Sequence, residues 1–191
     1  MAAPTLEAIK YERGSLQLLD QTKLPHDFLY IPIPDTNTAW GAIKAMNVRG
    51  APAIAISAVL SLAVECEGRR GEWGKLAPAE AAAQLRERLE VRQRPNPPSP
   101  LLALPLPVLT ARVGVRAQYL KTSRPTAVNL FNECDRLIAF LSSLATTAAD
   151  GDALLTAYVG EAEKTLAKDI EDNLAIGRHG ADAVRSPLTF P

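Results

Sequence analysis

This sequence predicts an α+β fold weighted towards helix, with short N-terminal β-strands followed by a helical bundle. Three observations carry that reading. Residues 8–19 and 28–33 alternate apolar and polar side chains over short stretches, which is the period of a strand. From residue 35 onwards apolar residues recur every three or four positions, which is the period of a helix. Apolar residues make up 47% of the 191, enough for a real core, although aromatics contribute only 5%.

Taken in order, Ala8-Ile9-Lys10-Tyr11-Glu12 alternates, Arg13-Gly14 punctuates, and Ser15 to Leu19 resumes, which predicts a hairpin. Phe28 to Ile33, stopped by Pro34, is a further strand. Asp35 or Thr36 then caps a helix marked by Ala39, Trp40, Ile43 and Met46. A second helix, about Ala51 to Glu67, is almost wholly apolar and has to be buried on most faces. Pro78 opens a third, alanine-rich helix that reaches Glu90. Pro125 to Ser143 reads as a fourth helix. A fifth begins at Gly151-Asp152, with Leu155, Val159, Ala162, Leu166, Ile170 and Leu174 on one face.

One segment breaks this texture. Residues 91–118 hold six of the fifteen prolines and no acidic residue, and they follow neither period. If Glu90 is joined directly to Tyr119, Leu85, Leu89 and Leu120 fall at spacings of four and three, so one helix face runs across the join. Val91-Arg92 can be encoded as the start of a 5′ splice site and Gln118 as the end of a 3′ one, so the segment reads as a translated in-frame intron. The alternative is a surface loop of this lineage. The expected organisation is one domain, residues 1–184, interrupted by 91–118 and followed by an aberrant tail, 185–191.

Charge and composition narrow the function. Twenty-one basic residues balance twenty-one acidic ones, so no global field favours nucleic acid or an anionic membrane. The apolar runs are short and interrupted, and the N-terminus lacks the pattern of a signal peptide. An intracellular location follows, cytoplasmic and open to the nucleus. Cys66 and Cys134 stand far apart in no metal-type spacing and read as reduced, packed thiols. With two histidines, His26 and His179, no metal constellation is expected, and no cofactor.

Two clusters carry candidate chemistry. In Arg49-Gly50-Ala51-Pro52, an arginine and a glycine precede a proline at the start of a helix. A helix start has N–H groups without intrahelical partners and a positive dipole end, and arginine adds a bidentate fork for phosphate or carboxylate. The alternative is a tight helix crossing eased by small residues, with Arg49 in a salt bridge. Ser123-Arg124-Pro125-Thr126 repeats the grammar, and Asn129 stands one turn further on. Two such constructions suggest convergence on one anionic, phosphate-bearing ligand.

The stretches "MNVRGAPAIAISAVLSLAVE", "YLKTSRPTAVNLF" and "DIEDNLAIGRHGA", with "TLEAIKYERGSLQLLDQTKLP" at the N-terminus, resemble successive motifs of the methylthioribose-1-phosphate isomerases. They resemble more distantly ribose-1,5-bisphosphate isomerases and the regulatory subunits of translation initiation factor 2B. The resemblance covers residues 5 to about 183 without the 91–118 segment. It implies that Arg49, Gly50 and Ala51 bind a sugar phosphate and that Arg124 helps hold it. It also implies an aldose–ketose isomerisation of methionine salvage that needs no cofactor. In the family a cysteine in a Thr-His-Cys-Asn-type stretch and a later aspartate perform the catalysis, both in a C-terminal Rossmann-like domain that this sequence does not include. Neither Cys66 nor Cys134 matches that context, so no catalytic residue is assigned, and the chain alone is expected to be inactive. The family dimerises mainly through that same absent half. Two other readings remain: a non-catalytic interaction module of the initiation factor 2B type, and a fragment that does not fold.

Overall fold

The computed structural model describes residues 6–89 and 119–185. A three-stranded antiparallel sheet leads into a helical bundle. Strands β1 (Ile9–Glu12) and β2 (Ser15–Leu19) form the expected hairpin, pairing Ile9 with Leu18 and Glu12 with Ser15. Strand β3 (Tyr30–Pro32) adds to the other edge of β2, pairing Leu19 with Tyr30. β3 is shorter than the predicted strand, and Phe28 and Leu29 before it are exposed. Leu16, Leu18 and Leu19 are buried, so β2 provides the sheet's main attachment to the core.

Helix α1 (Thr36–Lys44) is capped by Asp35, whose Oδ1 accepts from the Thr38 N–H at 2.7 Å and the Thr38 hydroxyl at 2.8 Å. It ends before Met46, which lies in the linker and is exposed. Helix α2 (Ala51–Gly68) is the centre of the molecule, packed by α1, by β2 and by two later helices, α6 and α7, described below. By length and hydropathy α2 resembles a bilayer-spanning segment, but here it is 72% buried inside the bundle. Its one deeply buried acid, Glu65, accepts from the Thr36 N–H and hydroxyl through Oε2 and from Arg88 Nε at 2.9 Å through Oε1. Short α3 (Arg70–Trp73), which the periodicity does not reveal, seats Trp73 in the core.

Helix α4 (Pro78–Leu89) and short α5 (Tyr119–Ser123) pack against each other. The residues between them, including the predicted 91–118 insert, lie outside the described residues. Leu85, Leu89 and Leu120, the leucines that the direct join aligns, are all fully buried in one core. Helix α6 (Val128–Thr147) starts later than predicted. Pro125 does not open it. Residues 124–127 instead form a turn closed by the Ala127 N–H on the Arg124 carbonyl at 3.0 Å. Proline's fixed φ suits the second position of such a turn as well as it suits a helix start.

The last helix, α7 (Gly151–Arg185), has 35 residues, about 50 Å of axis. Its first residue is wedged: a Cβ on Gly151 would lie 2.5 Å from the Leu76 carbonyl oxygen and 2.7 Å from that of Trp73. Polar ties to the bundle fall within residues 152–165. Arg70 Nη1 donates to Asp152 at 2.6 Å, Arg136 pairs with Glu161, and Tyr11 and Arg13 both donate to Glu163. Leu155, Val159 and Ala162 are buried as the predicted face requires, and Leu166 is partly so. Ile170 and Leu174 continue that face but are exposed, as are Ile176 and Val184. The helix runs through Val184 and Arg185. The rest of the expected tail, 186–191, lies outside the described residues.

Candidate anion-binding site

The α1–α2 linker is short and tightly specified. Met46 occupies the left-handed region at φ 62, which side chains rarely adopt, and its carbonyl accepts from Arg49 Nε at 3.2 Å. Val48 is fully buried. Gly50, the N-cap of α2, sits at φ 93, where a residue with a Cβ would be strained. The space above it is open, because a Cβ there would meet nothing within 4 Å. No side chain caps α2, and Pro52 is its second residue rather than its first. Pro52 has no N–H and the Ile54 N–H is taken by the Gly50 carbonyl, which leaves the Ala51 and Ala53 N–H groups without intrahelical partners at the positive end of an 18-residue helix. Arg49, Gly50 and Ala51 are all exposed there.

Arg124 is half-buried in the turn before α6. Among the described residues, its Nη1 is the buried side-chain nitrogen or oxygen that lacks a hydrogen-bond partner. A buried guanidinium N–H without an acceptor is costly, so such a group is usually completed by water or an anion. The turn itself is braced from below. Lys121 is almost fully buried and paired with Asp135 of α6, and the Ser123 hydroxyl donates to the Leu120 carbonyl.

The starts of α2 and α6 border one cleft of about 280 Å³. Pro52 lines it from α2, Asn129 and Asn132 from α6, and Thr165, Lys168 and Asp172 from α7. Arg49, Gly50, Ala51 and Arg124 are not on its lining. The structure thus brings the two predicted helix starts to one place through Pro52 and Asn129, with both arginines outside the wall. The cleft's charges are largely paired already. Lys168 binds Asp172 at 2.9 Å, and Glu133 accepts from Arg136 and Thr165. Burial pushes the Glu133 carboxyl up, but those bonds outweigh it and hold it below its ordinary value. Sequence reasoning passed over Asn132 and Lys168. Asn132, three residues after Asn129 and so on the same helical face, was legible. Lys168 sits in a run of mixed charge that reads as a solvated helix face.

The two thiols are inert. Cys66 and Cys134 are fully buried, and burial pushes Cys134 up to about 12 and Cys66 well above its ordinary value. Among the described residues, no group of three or more His, Cys, Asp or Glu side chains could hold a metal ion.

The sequence profile of the Initiation factor 2 subunit family matches residues 47–189, from the linker that carries Arg49 onwards. The chain belongs to that family. Within the initiation factor 2 subunit family its similarity is strong towards isomerases. It is 42% identical to the methylthioribose-1-phosphate isomerase of Oryza sativa subsp. indica over 183 residues, which is 96% of this chain and 41% of the relative. It is also 42% identical to the isomerase of the same name from Pyrenophora tritici-repentis, over 93% of this chain and 38% of the relative. The crystal structure of 5-methylthioribose 1-phosphate isomerase from Pyrococcus horikoshii superposes with a TM-score of 0.70 at 25% identity, covering 94% of this chain and 41% of that one. Translation initiation factor eIF-2B subunit delta from A. fulgidus shares the fold with a TM-score of 0.57 at 27% identity, over 87% of this chain and 38% of that one. The chain therefore spans about two fifths of the length of the relatives it matches. The initiation factor 2 subunit family holds both an enzyme and a factor subunit, so its fold alone does not assign an activity.

Proposed function

We propose that these residues form the N-terminal portion of a methylthioribose-1-phosphate isomerase and supply part of its grip on the sugar phosphate. The observation that carries this reading is the buried Arg124 Nη1 without a partner, in the turn that leads into α6, whose Asn129 shares a cleft with Pro52 at the uncapped start of α2. Arg49 and Arg124 would bind the phosphate, and the N–H groups after Gly50 would add neutral donors along the helix axis. The similarity to named isomerases over nearly the whole of this chain supports the choice of substrate. Proton transfer would fall to residues outside this two-fifths portion, since Cys66 and Cys134 are buried thiols. The 191 residues alone would bind substrate without turning it over. The reaction would proceed in the cytoplasm, with a nuclear pool compatible with it.

Calorimetric titration of methylthioribose 1-phosphate into the chain tests this. Binding is expected, with no ketose product. Arg49→Ala and Arg124→Ala are each expected to weaken it about tenfold or more, the range for a charge-assisted hydrogen bond. The fold shared with the A. fulgidus factor subunit supports a second reading, a non-catalytic interaction module. That reading predicts no sugar phosphate binding in the same titration and a stable complex with a partner subunit.

A further inference from the structure

Asp20 lies in the N-terminal stretch that resembles the isomerases but was given no role there, and it is the best-satisfied buried carboxylate near the α1–α2 linker. It is only 5% exposed. One oxygen, Oδ1, accepts three hydrogen bonds: from the Thr22 N–H at 3.0 Å, the Thr22 hydroxyl at 2.6 Å and Asn47 Nδ2 at 2.9 Å. The backbone reinforces the same junction. The Asp20 N–H donates to the Leu29 carbonyl at 2.8 Å, and the Gln21 N–H donates to the Asn47 carbonyl at 2.8 Å. Asn47 is therefore gripped through its side chain and its carbonyl by the segment that follows β2, and its own N–H donates to the Ala42 carbonyl.

Asn47 stands between Met46, held in the left-handed region, and the Arg49-Gly50 pair. A linker this short with two positive-φ residues, Met46 and Gly50, has few ways to stay in place by propensity alone. Something outside it must hold the geometry. Val48 does so by burial, and Asp20 does so by a directional, charge-assisted bond.

We propose that Asp20 is a positioning residue for the anion site: through Asn47 its carboxylate fixes the linker so that Arg49 and the N–H groups after Gly50 face one ligand. This rests on the site reading above, and its test is built to fail separately. The first readout is affinity for methylthioribose 1-phosphate, measured by calorimetry on the full chain. Asp20→Ala and Asn47→Ala remove opposite ends of one bond, so each is expected to weaken binding about tenfold, the effect of losing one hydrogen bond to a charged group. Asp20→Asn, which keeps a neutral Oδ1 acceptor, is expected to lose less. Leu141→Ala, a core truncation far along α6, is expected to lower Tm and leave affinity unchanged, which a purely structural role for Asp20 would also do. The second readout needs no ligand: amide hydrogen exchange of residues 46–53 is expected to accelerate in Asp20→Ala while that of α6 stays as in the wild type.

If the wild type binds and Asp20→Ala binds equally well, the proposal is overturned. If the wild type does not bind, the site reading fails, and exchange decides the positioning role alone. Acceleration confined to residues 46–53 then supports it, and unchanged exchange there overturns it.

Discussion

Glu65, deeply buried, and Arg124, half-buried, are charged side chains with opposite circumstances. Glu65 is complete: it takes the Thr36 N–H, the Thr36 hydroxyl and Arg88, and so ties the start of α1, the end of α2 and the end of α4 at one carboxylate. Removing it would strand the buried Thr36 donors and leave the part-exposed Arg88 without its carboxylate partner. Glu65→Ala is therefore expected to destabilise the fold by about 2–4 kcal/mol, the range for stranding buried partners, and chemical denaturation of the purified variant measures it. Arg124, by contrast, has an N–H still to satisfy. The contrast agrees with a stabilising role for Glu65 and with the proposed binding role for Arg124. The sequence singled out Arg124 as a candidate anion ligand and gave Glu65 no role, because the burial and partners that define Glu65 exist only in the fold.

At the scale of elements, acids of α7 add polar ties to its buried apolar face, and protonation would loosen those ties. Glu161 is held below its ordinary value of 4.5 by the bonds from Lys164 and Arg136, and Glu163 by the bond from Arg13. A carboxylate depressed in the folded state contributes stability above its unfolded value and loses it as pH falls through its folded one. Thermal stability should thus be flat from neutral pH down to about 5 and fall below about 4.5 as these acids protonate. Tm followed against pH checks this, and Glu163→Gln should shallow the acid limb. The helices themselves were largely legible. Apolar spacing placed α1, α2, α4 and the first half of α7, because each buries one face or, for α2, nearly all of them. The start of α6 was misplaced because Pro125 satisfies a turn and a helix start equally well. The face continuing through Ile170 and Leu174 was legible as well, but its exposure was not, because periodicity reports a face and not what covers it.

For the whole molecule, the join of Glu90 to Tyr119 is the strongest statement the sequence makes about the path of the chain. Leu85, Leu89 and Leu120 all reach one core, and α4 packs on α5. A chain lacking residues 91–118 is expected to keep its helical circular dichroism and a cooperative melt. Its Tm should match or exceed that of the parent, because shortening the connection lowers its closure entropy cost, by roughly 3 kcal/mol for a flexible chain. A broad, uncooperative melt of the shortened chain would show instead that the segment belongs to the fold. The candidate site was legible as two helix starts. Their convergence was suggested by the repeated pattern, but how it is made was not, since only the tertiary crossing of α2 and α6 brings Pro52 and Asn129 to one cleft and leaves both arginines off its lining.

The wedge at Gly151 has a mechanical reading. With the carbonyl oxygens of Leu76 and Trp73 filling the space where its Cβ would stand, that residue fixes where a rod about 50 Å long begins. The packed stretch through Leu166 clamps the rod beyond that point, so its mostly exposed remainder is a cantilever of roughly 28 Å. A tilt of about 10° where the clamp ends would swing the tip by roughly 5 Å, so the bundle aims the exposed face.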